Sequence, residues 1–319
     1  MTRRPPKRAT LRDIAEAAGV SVWTASNTFS NPDRIAEATR ERVLAAADAL
    51  DYAGPNPRAR TLALGQTGLV ALVSPHDSAP LLQDPGTALV AQGLLTECDR
   101  SWLSLVLAGS EGEIAVDGRV FIRWAPDSRV RTPAVVVDGV GDGLPGVRAD
   151  AEGAAAELAA MLLQLGHRRI ALIAGPGDDT RLDAATTVLT GAAQLSILRT
   201  SGSPWAREAH GEAAARRVLA AQPRPTALMA MSDPLAMGAL DGARRIGFAV
   251  PQDVSITGLG DLPGAAERGL TTALIPYRPM GELAGRILVD RIAGQPAPDA
   301  PLLPAPLAIR GTTAKAPPG

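Results

Sequence analysis

The chain has 319 residues, 32 Lys+Arg against 33 Asp+Glu, a net charge of −1 and 46% hydrophobic residues. That length suits two or three domains with a sizeable core, and the balance excludes a disordered or histone-like chain. One cysteine, Cys98, excludes an internal disulfide framework or a cysteine-built zinc site, and no window of about 18 uninterrupted apolar residues marks a membrane span.

The basic N-terminus, MTRRPPKRATLRD, lacks the apolar run of a secretory signal, so the expected location is the cytoplasm. Charge is unevenly spread: residues 1–60 carry a balance of +3 and the remaining 259 carry −4. Arg3, Arg4, Lys7, Arg8 and Arg12 all precede the first acid, Asp13. A basic arm beside a neutral body suits phosphate, although a solvated tail has the same composition. The residues that follow decide between the two.

Thr10-x-x-Asp13 reads as a capping box, and Leu11, Ile14, Ala15 and Ala18 form one apolar helical face. Gly19 stops that helix, Val20 plugs the turn, and Ser21 caps a second helix running to about Phe29. Helix, short Gly-containing turn, helix is the helix-turn-helix pattern, whose second helix enters the major groove. A third helix is expected from about Glu37 to Leu50, with Val43, Leu44, Ala47 and Leu50 on one face.

In residues 54–66, Pro55 and Pro57 break the preceding helix, while Arg58 to Leu64 contains good helix formers. Such a segment is too short to be a stable helix alone. It folds when DNA or a partner chain supplies contacts, which makes it a candidate switch.

From Gly68 onward short apolar runs alternate with Ala-rich helical stretches. LVALV (69–73), WLSLVLA (102–108), RVFIRW (119–124), AVVVD (134–138), RIALIAG (169–175), TALMAM (226–231) and VSITGLG (254–260) read as buried strands. Helices are expected at about 87–99, 151–165, 207–221 and 234–246. This alternation means parallel sheets with crossover helices. Only SEGEIAVDG separates the second and third strands, and only APDSRVRTP precedes AVVVD. A crossover helix needs about a dozen residues, so at least one helix of the first lobe is expected to be missing.

The segments TLRDIAEAAGVSVWTAS, ATRERVLAAADALDY and GPNPRARTLALGQTG, in that order, closely resemble the lactose-repressor (LacI-type) family of bacterial transcription regulators. LGHRRIALI, PTALMAMSDPLAMGAL, VPQDVSITGLGD, LTTALI and LLPAPLAIRGTTA resemble the family's periplasmic-binding-protein-like core. The likeness is weakest between about residues 100 and 145. It implies an N-terminal all-α helix-turn-helix domain plus an α/β periplasmic-binding-protein-like core of two lobes with parallel sheets. The implied boundaries are 1–53 for DNA binding, 54–66 for the hinge helix and 67–314 for the effector-binding and dimerisation body, with 315–319 a flexible tail. Within the body, the first lobe takes about 67–144 and 277–303, and the second about 145–276 and 304–314.

The resemblance also implies site residues. Val22, Trp23 and Asn27 match positions that touch base edges; Val22 suits a thymine methyl and the Asn27 amide an adenine edge. Arg12 and the hydroxyls of Ser21, Thr24, Ser26 and Thr39 suit phosphate oxygens. In the hinge, Leu62 matches a minor-groove wedge, Ala59 the small residue beside it, and Asn56 and Arg60 are backbone or minor-groove partners. The family commonly has Arg at the place of Asn27, Val at Ala25, Asn at Ser30 and a Ser cap at Ala36, so an atypical half-site is expected. For a small-molecule effector, Arg181 matches a clamping Arg, Asp233 an acid that takes ligand hydroxyls, and Trp205 a stacking Trp of sugar-binding members. Ser74 and Asp261, at strand ends, complete the set, while Gly260 stands where the family often has Asp.

Enzyme chemistry finds little support. His76, His167 and His210 lack metal-ligand spacing, GPGDD lacks the Lys of a phosphate-binding loop, and no GxSxG elbow occurs. Neither a metal nor a cofactor is expected. The expectation is a repressor that binds double-stranded, palindromic operator DNA as a homodimer and responds to a sugar, nucleoside or similar effector between its lobes, without membrane association. The alternative is a solute-binding protein with no regulatory role, which would need an export signal and no helix-turn-helix.

Overall fold

The computed structural model describes residues 9–30, 32, 35–52, 66–74, 83–109, 114–124, 126, 130–139, 141, 143–201, 207–297 and 301–318. The chain divides into two compact units, Met1–Leu69 with Ala115–Asp117, and Val70–Ile114 with Gly118–Gly319.

The first unit contains α1 (Leu11–Ala18), α2 (Val22–Ser30) and α3 (Glu37–Ala49). The capping box forms as the sequence predicts: Thr10 N–H donates to Asp13 Oδ2 at 2.7 Å and Asp13 N–H to Thr10 Oγ1 at 3.4 Å. Gly19, at φ 65°, takes the left-handed conformation that ends α1. Ile14, Ala15, Ala18, Ala25, Val43 and Ala47 form the core, with the Phe29 and Tyr52 rings 5.7 Å apart beside it. Of the four residues assigned to the inner face of α3, Val43 and Ala47 are buried but Leu44 and Leu50 are about two-fifths exposed. Two short helices offer α3 only one row to pack against. Ala36 supplies no side-chain cap.

The second unit is α/β. Its first lobe holds β1 (Leu69–Ser74), α4 (Pro85–Arg100), β2 (Ser104–Gly109), β3 (Gly118–Ile122), β4 (Ala134–Val137) and β5 (Gly146–Val147). The second holds α5 (Ala151–Gln164), β6 (Arg169–Ala174), α6 (Asp179–Leu189), β7 (Gln194–Arg199), α7 (Arg207–Ala220), β8 (Ala227–Ala230), α8 (Asp233–Arg245) and β9 (Ser255–Thr257). The chain continues through β10 (Thr272–Ala273), α9 (Tyr277–Ile292) and β11 (Leu307–Ala308).

Strand order is β2-β1-β3-β4-β5 in the first sheet and β7-β6-β8-β9 in the second. The β1–β3, β3–β4, β4–β5, β6–β7, β6–β8 and β8–β9 ladders are all parallel. Every apolar run expected as a strand is one. β5 carries the first sheet slightly past residue 144. Among the described residues no helix joins β2 to β3 or β3 to β4, as the short connections require. Helices α6 and α9 and strands β5, β7, β10 and β11 lie outside the elements expected from the sequence.

Helix packing in the second lobe depends on glycine. A Cβ on Gly211 would stand 2.0 Å from Leu235 O, and one on Gly238 would stand 1.9 Å from Glu208 O. These reciprocal approaches let the α7 and α8 backbones nearly touch. Fully buried His167 ties distant segments together, its ring contacting Thr226 Oγ1 at 2.9 Å and both Ser255 Oγ and Ala314 O at 3.1 Å. Burial lowers its pKa, keeping the ring neutral. Beyond it, Ala316 N–H donates to Leu165 O at 2.8 Å.

Candidate functional sites

The helix-turn-helix unit presents one outward face. Ala25 and Thr28 point into the core, while Val22 and Trp23 are 45% and 66% exposed. Trp23 therefore does not fill the space beside α1. Ser21 Oγ accepts Thr24 N–H at 3.0 Å, capping α2, and lies 2.8 Å from Thr24 Oγ1. Asn27 Nδ2 donates to Trp23 O at 2.9 Å, so its amide lies along the helix. Arg12 is exposed, and Ser26 and Thr39 are half-buried. The expected hinge residues Asn56, Ala59, Arg60 and Leu62 lie outside the described residues, as do Trp205 and His76.

A second site gathers at the carboxyl ends of the strands, where open parallel sheets place their ligands. Arg123 follows β3 and Asp138 follows β4, at φ 57° and 55°. Non-glycine residues are uncommon in this left-handed region and tend to mark functional positions. Arg123 Nε–H donates to Asp138 Oδ2 at 3.0 Å, and its NH1 donates to Asp84 Oδ2 at 2.9 Å. Asp84 caps α4, accepting Thr87 N–H at 2.9 Å and Thr87 Oγ1–H at 2.6 Å. Burial raises the Asp84 carboxyl, but Arg123 and Thr87 outweigh it and hold its pKa below the ordinary value.

The second lobe reaches the same carboxylate. Arg181, in the first turn of α6, donates to Asp138 Oδ2 at 3.4 Å and stands 3.9 Å from Asp178 Oδ1. Asp178 also accepts Gly175 N–H at 2.8 Å and Arg207 NH1 at 2.9 Å. Arg123, Arg181 and Arg207 thus alternate with Asp84, Asp138 and Asp178 in one charge-balanced chain crossing both lobes. Burial works against the Arg123 and Arg181 charges, but their neighbours more than compensate and both pKa values rise. Tyr277, buried at the start of α9, lies in the field of this chain, and burial raises its phenol.

Of the expected effector residues, Arg181 stands in the cleft network. Ser74 is buried at the end of β1. Asp233 is fully buried: Leu262 N–H donates to its Oδ2 at 2.7 Å and Thr272 Oγ1–H to its Oδ1 at 2.5 Å. A Cβ on Gly260, at φ 147°, would stand 3.3 Å from the same Oδ2. Glycine at this turn therefore leaves room for Asp233. Burial pushes the Asp233 carboxyl up to about 6 despite both hydrogen bonds. Asp261 pairs with Arg310 at 2.7 Å. Sequence reading missed Asp84, Arg123, Asp138, Arg207 and Tyr277. Arg123 and Asp138 directly follow apolar strand runs, and that placement could have flagged them.

Among the described residues no three His, Cys, Asp or Glu side chains gather where they could hold a metal ion, and no helix is long and apolar enough to cross a membrane. Residues 10–56 match the model for bacterial regulatory proteins of the lacI family, and residues 159–313 match the periplasmic binding protein-like domain. The chain is 33% identical over 332 residues to the HTH-type transcriptional regulator Rv3575c of Mycobacterium tuberculosis, covering 91% of this chain and 92% of that one. It is 33% identical over 348 residues to the HTH-type transcriptional regulator MalR of Streptomyces coelicolor, covering 96% and 97%. The lac repressor dimer bound to operator and an anti-inducer superimposes with a TM-score of 0.77 at 26% identity, covering 97% of this chain and 100% of that one. A CelR–cellobiose complex matches with a TM-score of 0.65 at 28% identity, covering 96% and 100%. These likenesses span both units and favour the regulator over the solute-binding alternative. The chain belongs to the lacI family of bacterial regulatory proteins, as a DNA-binding transcriptional regulator.

Proposed function

We propose that the protein represses transcription as a homodimer on a near-palindromic operator, and that a small polyhydroxylated effector, a sugar or nucleoside, sets its affinity from the cleft. Val22, Trp23 and Asn27 read base edges. Arg12, Ser21, Thr24, Ser26 and Thr39 hold phosphates, and Asn56, Ala59, Arg60 and Leu62 engage the minor groove. In the cleft, Arg181 and Asp138 contact the ligand, with Ser74, Trp205 and Asp261 around it. Asp233 shapes the adjoining turn, because its two oxygens already hold Thr272 and Leu262. The cellobiose in the CelR relative supports a sugar.

One observation carries this reading. Asp138 Oδ2 receives Arg123 from its own lobe and Arg181 from the other. A polar ligand seated there exchanges its hydroxyls for that contact, and so changes how the lobes are held. Operator binding is to be measured by fluorescence anisotropy across a panel of mono- and disaccharides and nucleosides. At least one compound should shift affinity by about tenfold, and Arg181→Gln should abolish the shift. A shift of unchanged size in Arg181→Gln would remove Arg181 from the site.

A further inference from the structure

At the amino-terminal ends of the second-lobe strands, the opposite end of the sheet from the cleft, two grooves of about 500 and 650 Å³ flank Arg224. The larger is lined mainly by Arg216, Arg217, Leu219, Arg224, Ile246 and Phe248, with no Asp or Glu among its described lining residues. Arg224 is fixed in place: its Nε–H donates to Leu219 O at 3.2 Å, and its Cζ stands 4.8 Å over the Phe248 ring. Its terminal NH2 groups then have no protein acceptor among the described residues. Neither Arg217 nor Arg224 has a carboxylate in ion-pair reach among those residues. Arg216 touches Glu212 at only 3.9 Å, and that acid is held at 2.7 Å by Arg245.

These guanidiniums collect in a body whose residues beyond 60 carry a net −4. The nearby carboxyl end of α7 would repel an anion, but Arg224 covers one of its last carbonyls. A guanidinium anchored through Nε offers its two remaining NH2 groups as a planar fork, the geometry that grips a carboxylate or phosphate. Beside it lie the exposed Ile246 and the half-buried Phe248, an apolar surface. The volume falls in the range of small-molecule sites, roughly 300–1,000 Å³.

We propose that this groove is a second ligand site for a small organic anion, with an oxyanion head against Arg217 and Arg224 and an apolar body on Ile246 and Phe248. It is independent of the cleft, so its failure leaves the effector reading untouched.

The test is calorimetric titration of the full chain with 1-naphthyl phosphate and 1-naphthoate, which distinguish a phosphate from a carboxylate head. Inorganic phosphate and 1-naphthol supply head and body alone. At least one naphthyl anion should bind one-to-one with a Kd below about 1 mM, and each half alone at least tenfold more weakly. Arg217→Glu alters an exposed side chain, so folding is spared, and should weaken binding by about tenfold or more. Ile246→Ala should weaken the naphthyl anions without changing the response to phosphate. No saturation by either naphthyl anion would overturn the proposal, as would equal binding by Arg217→Glu. Binding of an acidic peptide in place of both naphthyl anions would assign the groove to a protein partner and overturn it as well.

Discussion

An Asp233→Asn substitution keeps the shape of a fully buried side chain and removes its titratable proton. In the folded wild type, burial pushes this carboxyl up to about 6. In the unfolded chain it sits near ~4. The folded state therefore binds the proton more tightly than the unfolded state does. The resulting stabilisation is fully present below pH ~4 and is lost as pH rises through about 6. The gap corresponds to about 3 kcal/mol, and full burial means that solvent screening does not reduce it. Asn keeps one oxygen to accept Leu262 N–H, and its amide N–H can donate to Thr272 Oγ1, so the exchange adds only a pH-independent offset. His167, with its lowered pKa, makes stability fall as pH drops below ~6.5, but it does so in both proteins. The assay is urea unfolding of wild type and Asp233→Asn at intervals from pH 4 to 8. The stability difference should move by about 2 kcal/mol in favour of Asn between those limits, with its midpoint near pH 5. A difference that stays flat would show instead that Asp233 ionises as an ordinary carboxyl.

Arg123→Gln strips one cation from Asp84 and Asp138; with the guanidinium about a third exposed, chemical denaturation should register a loss of about 1–2 kcal/mol. Raising salt should shrink that loss. Gly238→Ala drives a methyl into Glu208 O and should cost about 3 kcal/mol or more, whereas exposed helical sites such as Ala213 should accept substitution within about 0.5 kcal/mol. Trp23→Ala should leave stability within about 0.5 kcal/mol, because the side chain is mostly exposed, yet weaken specific operator binding by about tenfold in anisotropy titrations.

Much of this architecture is legible in the residues, for local reasons. The Thr10–Asp13 box and Gly19 fix α1 within a few residues of chain. Uninterrupted runs such as LVALV and AVVV declare buried parallel strands. Helix α6 escapes because DTRLDAATTVL mixes three threonines and a valine, poor helix formers, with a weak apolar stripe. Strand β7 escapes because QLSILR sits at a sheet edge and stays half polar. The cleft is the least legible part. Arg123 meets Asp84 from 39 residues away and Asp138 from 15, and only the folded sheet brings them together. The same holds for Asp233: the family resemblance implies a ligand contact, but its hydrogen bonds come from Leu262 and Thr272, 29 and 39 residues onward. That no crossover helix joins β2 to β3 or β3 to β4 among the described residues, by contrast, follows from loop length alone.

The first sixty residues, at +3, direct a body at −4 to particular DNA. Selection and sequencing of genomic fragments bound by the purified full chain tests it most directly, repeated at rising salt and with Asn27→Ala. A near-palindromic site should be recovered, its affinity should fall steeply with salt, and Asn27→Ala should alter the base preference of each half-site. Fragments recovered without sequence preference, or a site unchanged by Asn27→Ala, would contradict it.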